Sequence, residues 1–185
     1  MFHHVALATR DTAATHDFYT RVMGFELLKT VSAATPEGGW SKHFFYGTRR
    51  DGFTQPGMIA FWEIHVDAIG TDFPVDINAA AGLPWWVNHL AFDAPTLDDL
   101  HEHRDHWRRC GFHVLEVDHE FCISIYLRDP NGNMVEFCHS VRDFTPEEVV
   151  RARELLDDPA PALDDHAKAT FWEPLEPATV AAQTM

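Results

Sequence analysis

The apolar pattern of the chain repeats. His4-Val5-Ala6-Leu7 is matched by His89-Leu90-Ala91-Phe92. An amphipathic stretch follows each, over residues 11–22 and 96–109. Each stretch ends in Gly-Phe with leucine close behind: Gly24-Phe25-Glu26-Leu27-Leu28 and Gly111-Phe112-His113-Val114-Leu115. Self-similarity of this kind means one structural unit built twice. Each half predicts a strand (residues 3–9 and 87–93) and then a helix started by a polar cap, Thr9 or Asp11 in one half and Thr96 in the other. The glycine after each helix suits a left-handed helix stop. Three strands complete each half: residues 25–33, 41–47 and 57–65, then 112–118, 121–128 and 133–140. Asp129-Pro130-Asn131-Gly132 is the turn between the last two. The predicted class is α+β: two tandem βαβββ modules forming one open, cup-shaped mixed sheet. Residues 1–141 form a single domain, with module one at 1–66, a Gly- and Pro-bearing linker at 67–84, and module two at 85–141.

Beyond residue 141 the composition shifts. Thr145-Pro146-Glu147-Glu148 is a capping box with proline at the first helical position. It predicts a helix to about Leu156. The remainder, to residue 185, is rich in Ala, Pro and Asp and reads as a partly ordered tail. Phe171 and Trp172 suggest that part of it docks on the body.

Charge narrows the partners. The 185 residues carry 14 basic and 29 acidic side chains, a formal charge of −15. Such a surface repels phosphate backbones and anionic membranes, so neither nucleic acid nor membrane is expected as a partner. No apolar run approaches a membrane span and no signal peptide is visible. Cys110, Cys122 and Cys138 lack metal-site spacing and read as reduced thiols of a cytoplasmic protein. Trp40, Phe44, Trp62, Trp85 and Trp86 offer an aromatic pocket lining, but core packing is the commoner reason for such residues.

Histidine is abundant, with 13 residues. His101, His103 and His106 fall on a helix and read as a solvated face. His4 and His89 differ, because they open equivalent first strands. If the halves are related by a pseudo-twofold axis, those strands lie side by side and both rings project into one cavity. His3 points the other way. Glu136 stands between Val135 and Phe137 in the last strand, so alternation turns it away from the packed side. A carboxylate in so apolar a strand is costly unless paired or metal-bound. Two imidazoles and one carboxylate form the facial triad of non-haem Fe(II) oxygenases, with positions left open. Glu63 lies near the position repeating Glu136. Counting four residues from the preceding glycine reaches Phe61, however, which leaves Glu63 as a fourth ligand or a pocket residue.

Residues 2–140 resemble the vicinal oxygen chelate superfamily: glyoxalases, fosfomycin- and bleomycin-resistance proteins, and type I extradiol dioxygenases. His4-Val5-Ala6-Leu7, Phe18-Tyr19, Gly24-Phe25-Glu26-Leu27 and the run from Asp129 to Phe137 carry the likeness. A narrower pattern resembles the single-domain extradiol enzymes: Val117-Asp118-His119, Ile125-Tyr126, Asp129-Pro130-Asn131-Gly132 and then Glu136. The resemblance implies that His4, His89 and Glu136 are metal ligands. It implies that His119 and Tyr126 hydrogen-bond the bound substrate. The implied activity is dioxygenase cleavage of a catechol-like aromatic small molecule, with Fe(II) the first expectation and Mn, Zn, Ni or Co the others. Dioxygen is the co-substrate, and homodimers are common in this architecture. The resemblance leaves two alternatives: a non-redox isomerase, lyase or glyoxalase-like metal enzyme, and a ligand-sequestering resistance protein. One feature departs from the ring-cleaving pattern. Those enzymes place an acid–base histidine just before the fourth strand of the first half, where the chain reads Asp51-Gly52-Phe53-Thr54-Gln55-Pro56-Gly57; His43 and His65 are near but do not match the motif.

Overall fold

A computed structural model describes residues 3–48, 57–163 and 167–175. The strands are β1 (His4–Thr9), β2 (Glu26–Ala34), β3 (Trp40–Gly47), β4 (Met58–His65), β5 (His89–Asp93), β6 (Val114–Asp118), β7 (Cys122–Arg128), β8 (Met134–Ser140) and β9 (Lys168–Trp172). The helices are α1 (Thr12–Asp17), α2 (Ile77–Ala81), α3 (Leu97–Arg109) and α4 (Pro146–Asp157). They build an α+β fold with two open sheets, ordered β1-β4-β3-β2 and β5-β8-β7-β6-β9. The chain divides into two compact units: Met1–Phe92 with Arg128–Val135, and Asp93–Leu127 with Glu136–Met185. The division falls inside β5 and β8, and residues 67–84 belong wholly to the first unit. No helix among the described residues is long and apolar enough to cross a membrane.

In the first unit β1 runs parallel to β4, and β3 is antiparallel to both β4 and β2. Register sorts the side chains by face. Val5, Leu7 and Thr9 share a face with Ile59, Phe61 and Glu63, and with Tyr46, Phe44 and Lys42 of β3. Helix α1 covers that face. Asp11 caps it by accepting from the Ala14 N–H, and Thr9 bonds Thr15 at 2.8 Å. The predicted helix does reach Val22, but its last turn (Phe18–Val22) is π-helical, closed by Met23 N–H to Phe18 O. Gly24 then takes φ 74°, as the predicted stop requires. The wider turn carries Tyr19, fully buried, onto Phe61 at 4.7 Å between ring centroids.

The Asp129 turn is folded into this unit. Its carboxylate accepts from the Tyr19 hydroxyl (3.0 Å) and from the N–H groups of Asn131 and Asn133. Burial pushes the Asp129 carboxyl up, against those hydrogen bonds. Asp76 caps α2, a short helix absent from the sequence reading, and pairs with Arg128. Gly132 is required beside it: φ is 90°, and a Cβ would sit 2.6 Å from the Asp76 carboxylate.

In the second unit the capping box starting α3 joins Thr96 and Asp99. Trp107 and Leu100 of α3 are fully buried, and His103 stacks on Phe137 at 3.8 Å. The tail docks as an added strand. Antiparallel β9 pairs with β6 from Val114↔Trp172 to Asp118↔Lys168. Arg104 and Arg108 of α3 lie over the Trp172 ring, and Arg108 donates to Glu173 O. A cation held over an indole and bonded to the same segment explains why this piece of tail is fixed.

Candidate functional site

His119 and Tyr126 meet. The imidazole Nε2 lies 3.1 Å from the phenol oxygen. His119 closes the short connection after β6, through its N–H to Cys122 O at 2.8 Å. Tyr126 projects from β7 on the face that carries Leu115 and Val117 of β6, opposite the α3-covered face of Glu116 and Ile125. Burial, with the negative charge of Glu136, pushes the Tyr126 phenol well above its ordinary value. Glu136 is buried, at 5 % exposure. Its neighbours in β8 face α3 instead: Val135 and Phe137 are core. Alternation therefore sends Glu136 to the side of Tyr126, as the sequence pattern required. Burial and the adjacent Cys138 push the Cys122 thiol up to about 12, so it is no nucleophile at neutral pH.

The first unit presents His4 on the face away from α1. Its ring lies 5.5 Å from Phe45 and 6.0 Å from His43, and its Nδ1 is 2.8 Å from that of His3. His89 places Nδ1 3.3 Å from Val87 O. A backbone carbonyl on Nδ1 is the arrangement that leaves Nε2 basic in metal sites. Among the described residues, no three His, Cys, Asp or Glu side chains are grouped as a metal would need.

Glu63 lies on the other face. It is bonded to Lys42 (2.8 Å), His65 (2.7 Å) and Thr12 of α1 (2.9 Å). Burial works against the charge, yet these three partners hold its carboxyl down at about 2. Packing under the helices explains the misplaced count. Phe61 and Phe137 are the equivalent positions, each buried under its own helix against Tyr19 or Trp107. The repeat of Glu136 is therefore Ala60, and the first half carries no carboxylate there. Glu63 should act on stability instead. A carboxyl depressed from 4.5 to about 2 contributes fully above its unfolded value and loses that contribution as pH falls through the folded one. We expect Glu63→Gln to cost about 2 kcal/mol at pH 7 in urea unfolding, with the deficit shrinking from pH 5 to pH 3. A deficit that does not change with pH would remove this account.

Sequence reasoning set His43 aside because it does not match the acid–base motif. It stacks on Trp62 at 3.8 Å on the face of His4, and its Nε2 is buried with no hydrogen-bond partner among the described residues. Burial, then His4, pushes its pKa down. The signal was available: Ser41, His43 and Phe45 alternate with the core pair Phe44 and Tyr46. Phe44 is core as expected, but Trp40, Trp62, Trp85 and Trp86 are 37–58 % exposed, so core packing does not account for them. Residues 51–56, where the acid–base histidine is missing, lie outside the described residues.

The family model described as Glyoxalase/Bleomycin resistance protein/Dioxygenase superfamily matches residues 1–137. The chain belongs to this superfamily. No curated protein sequence matches it. Among solved structures, the protein named SMU.1112c aligns with TM-score 0.54 and 20% identity, over 75% of this chain and 97% of that one. A glyoxylase/bleomycin resistance protein/dioxygenase domain from Frankia sp. EAN1pec aligns with TM-score 0.52 and 17% identity, over 74% and 94%. Both likenesses are to the fold. Metal dependence is typical of the superfamily, and imidazole and carboxylate are donor types that a divalent ion takes. The match ends before α4 and β9, which this chain adds.

Proposed function

We propose that the protein is a metal-dependent dioxygenase that opens a catechol-like small aromatic substrate beside its diol, with His4, His89 and Glu136 holding Fe(II). The observation that carries this reading is the His119–Tyr126 hydrogen bond, on the sheet face that also bears Glu136. Three residues of the ring-cleaving pattern, spread over eighteen positions, are thereby neighbours. Ala60 at the repeat of Glu136 favours a three-ligand site over a four-ligand glyoxalase-like one. The chemistry the metal would supply is chelation of the two vicinal oxygens, with a position open to dioxygen.

The chain's own residues do the rest. Tyr126 keeps its proton through neutral pH, so it acts as a hydrogen-bond donor to an oxyanion of the substrate. His119, bonded to that phenol oxygen, orients it so that its proton is free for the substrate. Atoms balance without a further reductant: one ring carbon–carbon bond breaks, and both atoms of dioxygen end in the semialdehyde acid. Air admitted to protein loaded anaerobically with Fe(II), with a panel of catechols, should give oxygen uptake and a coloured ring-fission product together. Silence toward every catechol, with anaerobic turnover of another substrate, would replace this reading by a non-redox isomerase or lyase. Tight ligand binding without metal or turnover would indicate sequestration.

A further inference from the structure

The added segment builds a cavity. Helix α4 faces the connection between β6 and β7, and between them lies a groove of about 840 Å³. That volume falls in the range of small-molecule sites. Its walls are apolar: Phe121 and Phe144, 5.2 Å apart, on one side, and Val149, Ala152 and Leu155 of α4 on the other. Its charges cancel. Arg142 and Arg151 line it with Glu120 and Glu148, and Arg142 is already bonded to both carboxylates. Those bonds clamp the start of α4 to the β6–β7 connection, and Glu148 also closes the capping box with Thr145. Glu120 has φ 76°, the single positive value at a non-glycine among the described residues. A side chain held so is strain kept in place by its surroundings. His119, the partner of Tyr126, also lines it.

We propose that this groove is the subsite for a neutral apolar arm of the substrate, with His119 at the junction between the arm and the reacting end. The inference rests on the proposed function for the identity of the reacting end. It rests on the groove itself for the arm. The two lining carboxylates are both held by Arg142, and an alkyl or aryl arm displaces water from two phenylalanines and a helix face. The family match stops at residue 137, so the α4 wall is this chain's own means of selecting a substrate.

The test uses Fe(II)-loaded full-length protein and 4-alkylcatechols from methyl to hexyl, bound without oxygen. Each methylene should tighten Kd about fourfold. Ala152→Trp, at an exposed position of α4 that lines the groove, should fill it and flatten the series, and Phe144→Ala should shallow it. The readout is the hexyl-to-methyl ratio of Kd, from which any general loss of binding cancels. The neutral fluorophore N-phenyl-1-naphthylamine gives a second readout that needs no catechol chemistry. It should bind one per chain, compete with 4-hexylcatechol and not with catechol, and be lost in Ala152→Trp. Fluorophore binding that responds to Ala152→Trp, with no catechol turnover in air, leaves the subsite standing and sinks the reaction. A flat alkyl series in the wild type, or no fluorophore binding, overturns the subsite.

Discussion

His89→Ala and Glu136→Gln are each expected to strip the metal and to lower turnover about a thousandfold or more, while the fold survives. The scale follows from losing several kcal/mol of charge stabilisation at the reacting oxygens. Survival of the fold follows from where the residues sit. His89 is exposed at the start of β5, and glutamine keeps the volume of Glu136 in its buried place. Glu63→Gln is the control. It removes a carboxylate from the other face of the first sheet, bonded to Lys42, His65 and Thr12, so metal content should not change although stability falls. Metal analysis after gel filtration, with circular dichroism on the same samples, separates these effects. Stoichiometric metal in both His89→Ala and Glu136→Gln would overturn the ligand assignment. Loss of metal in Glu63→Gln alone would move the site to the other face.

Much of the fold was legible because it is local. The Gly24 and Gly111 stops are read from one residue each, and both take positive φ. The Thr96 and Thr145 caps are read from four residues, and both form capping boxes. Repetition supplied the rest, since two similar halves must fold alike. What escaped depends on partners far along the chain. β9 is five residues of unremarkable pattern, and it becomes a strand because the edge of β6 is available and Arg104 and Arg108 wait for Trp172. α2 is one turn, held by Asp76 at its cap and by Asn78 bonds to Asn88 and Trp85. Counting from the glycines placed the repeat of Glu136 at Phe61, and only the matching packing of Phe61 and Phe137 under their helices places it at Ala60. A slip of one residue turns a side chain to the other face. The same physics made Glu136 readable: Val135 and Phe137 had to face the helix, so Glu136 had to face the other way.

The second large effect concerns His119 and Tyr126. Tyr126→Phe should lower kcat about a hundredfold with KM changed little, since the donor it removes matters most where negative charge develops. The phenol is held protonated by burial and by Glu136, so the loss should be flat between pH 6 and pH 9. A loss that grew as pH rose would mean that Tyr126 acts as an anion, contrary to its surroundings. His119→Ala should cost a similar factor, because it frees the phenol from the 3.1 Å bond that aims it. Groups that act through one another are not additive. The double variant should therefore lose little more than the worse single variant, rather than the product of the two. Independent losses would mean that the hydrogen bond is structural and that the residues serve separate purposes. If kcat in both single variants stays within threefold of the wild type, neither residue touches the reacting substrate, and the reading that joins them to Glu136 fails.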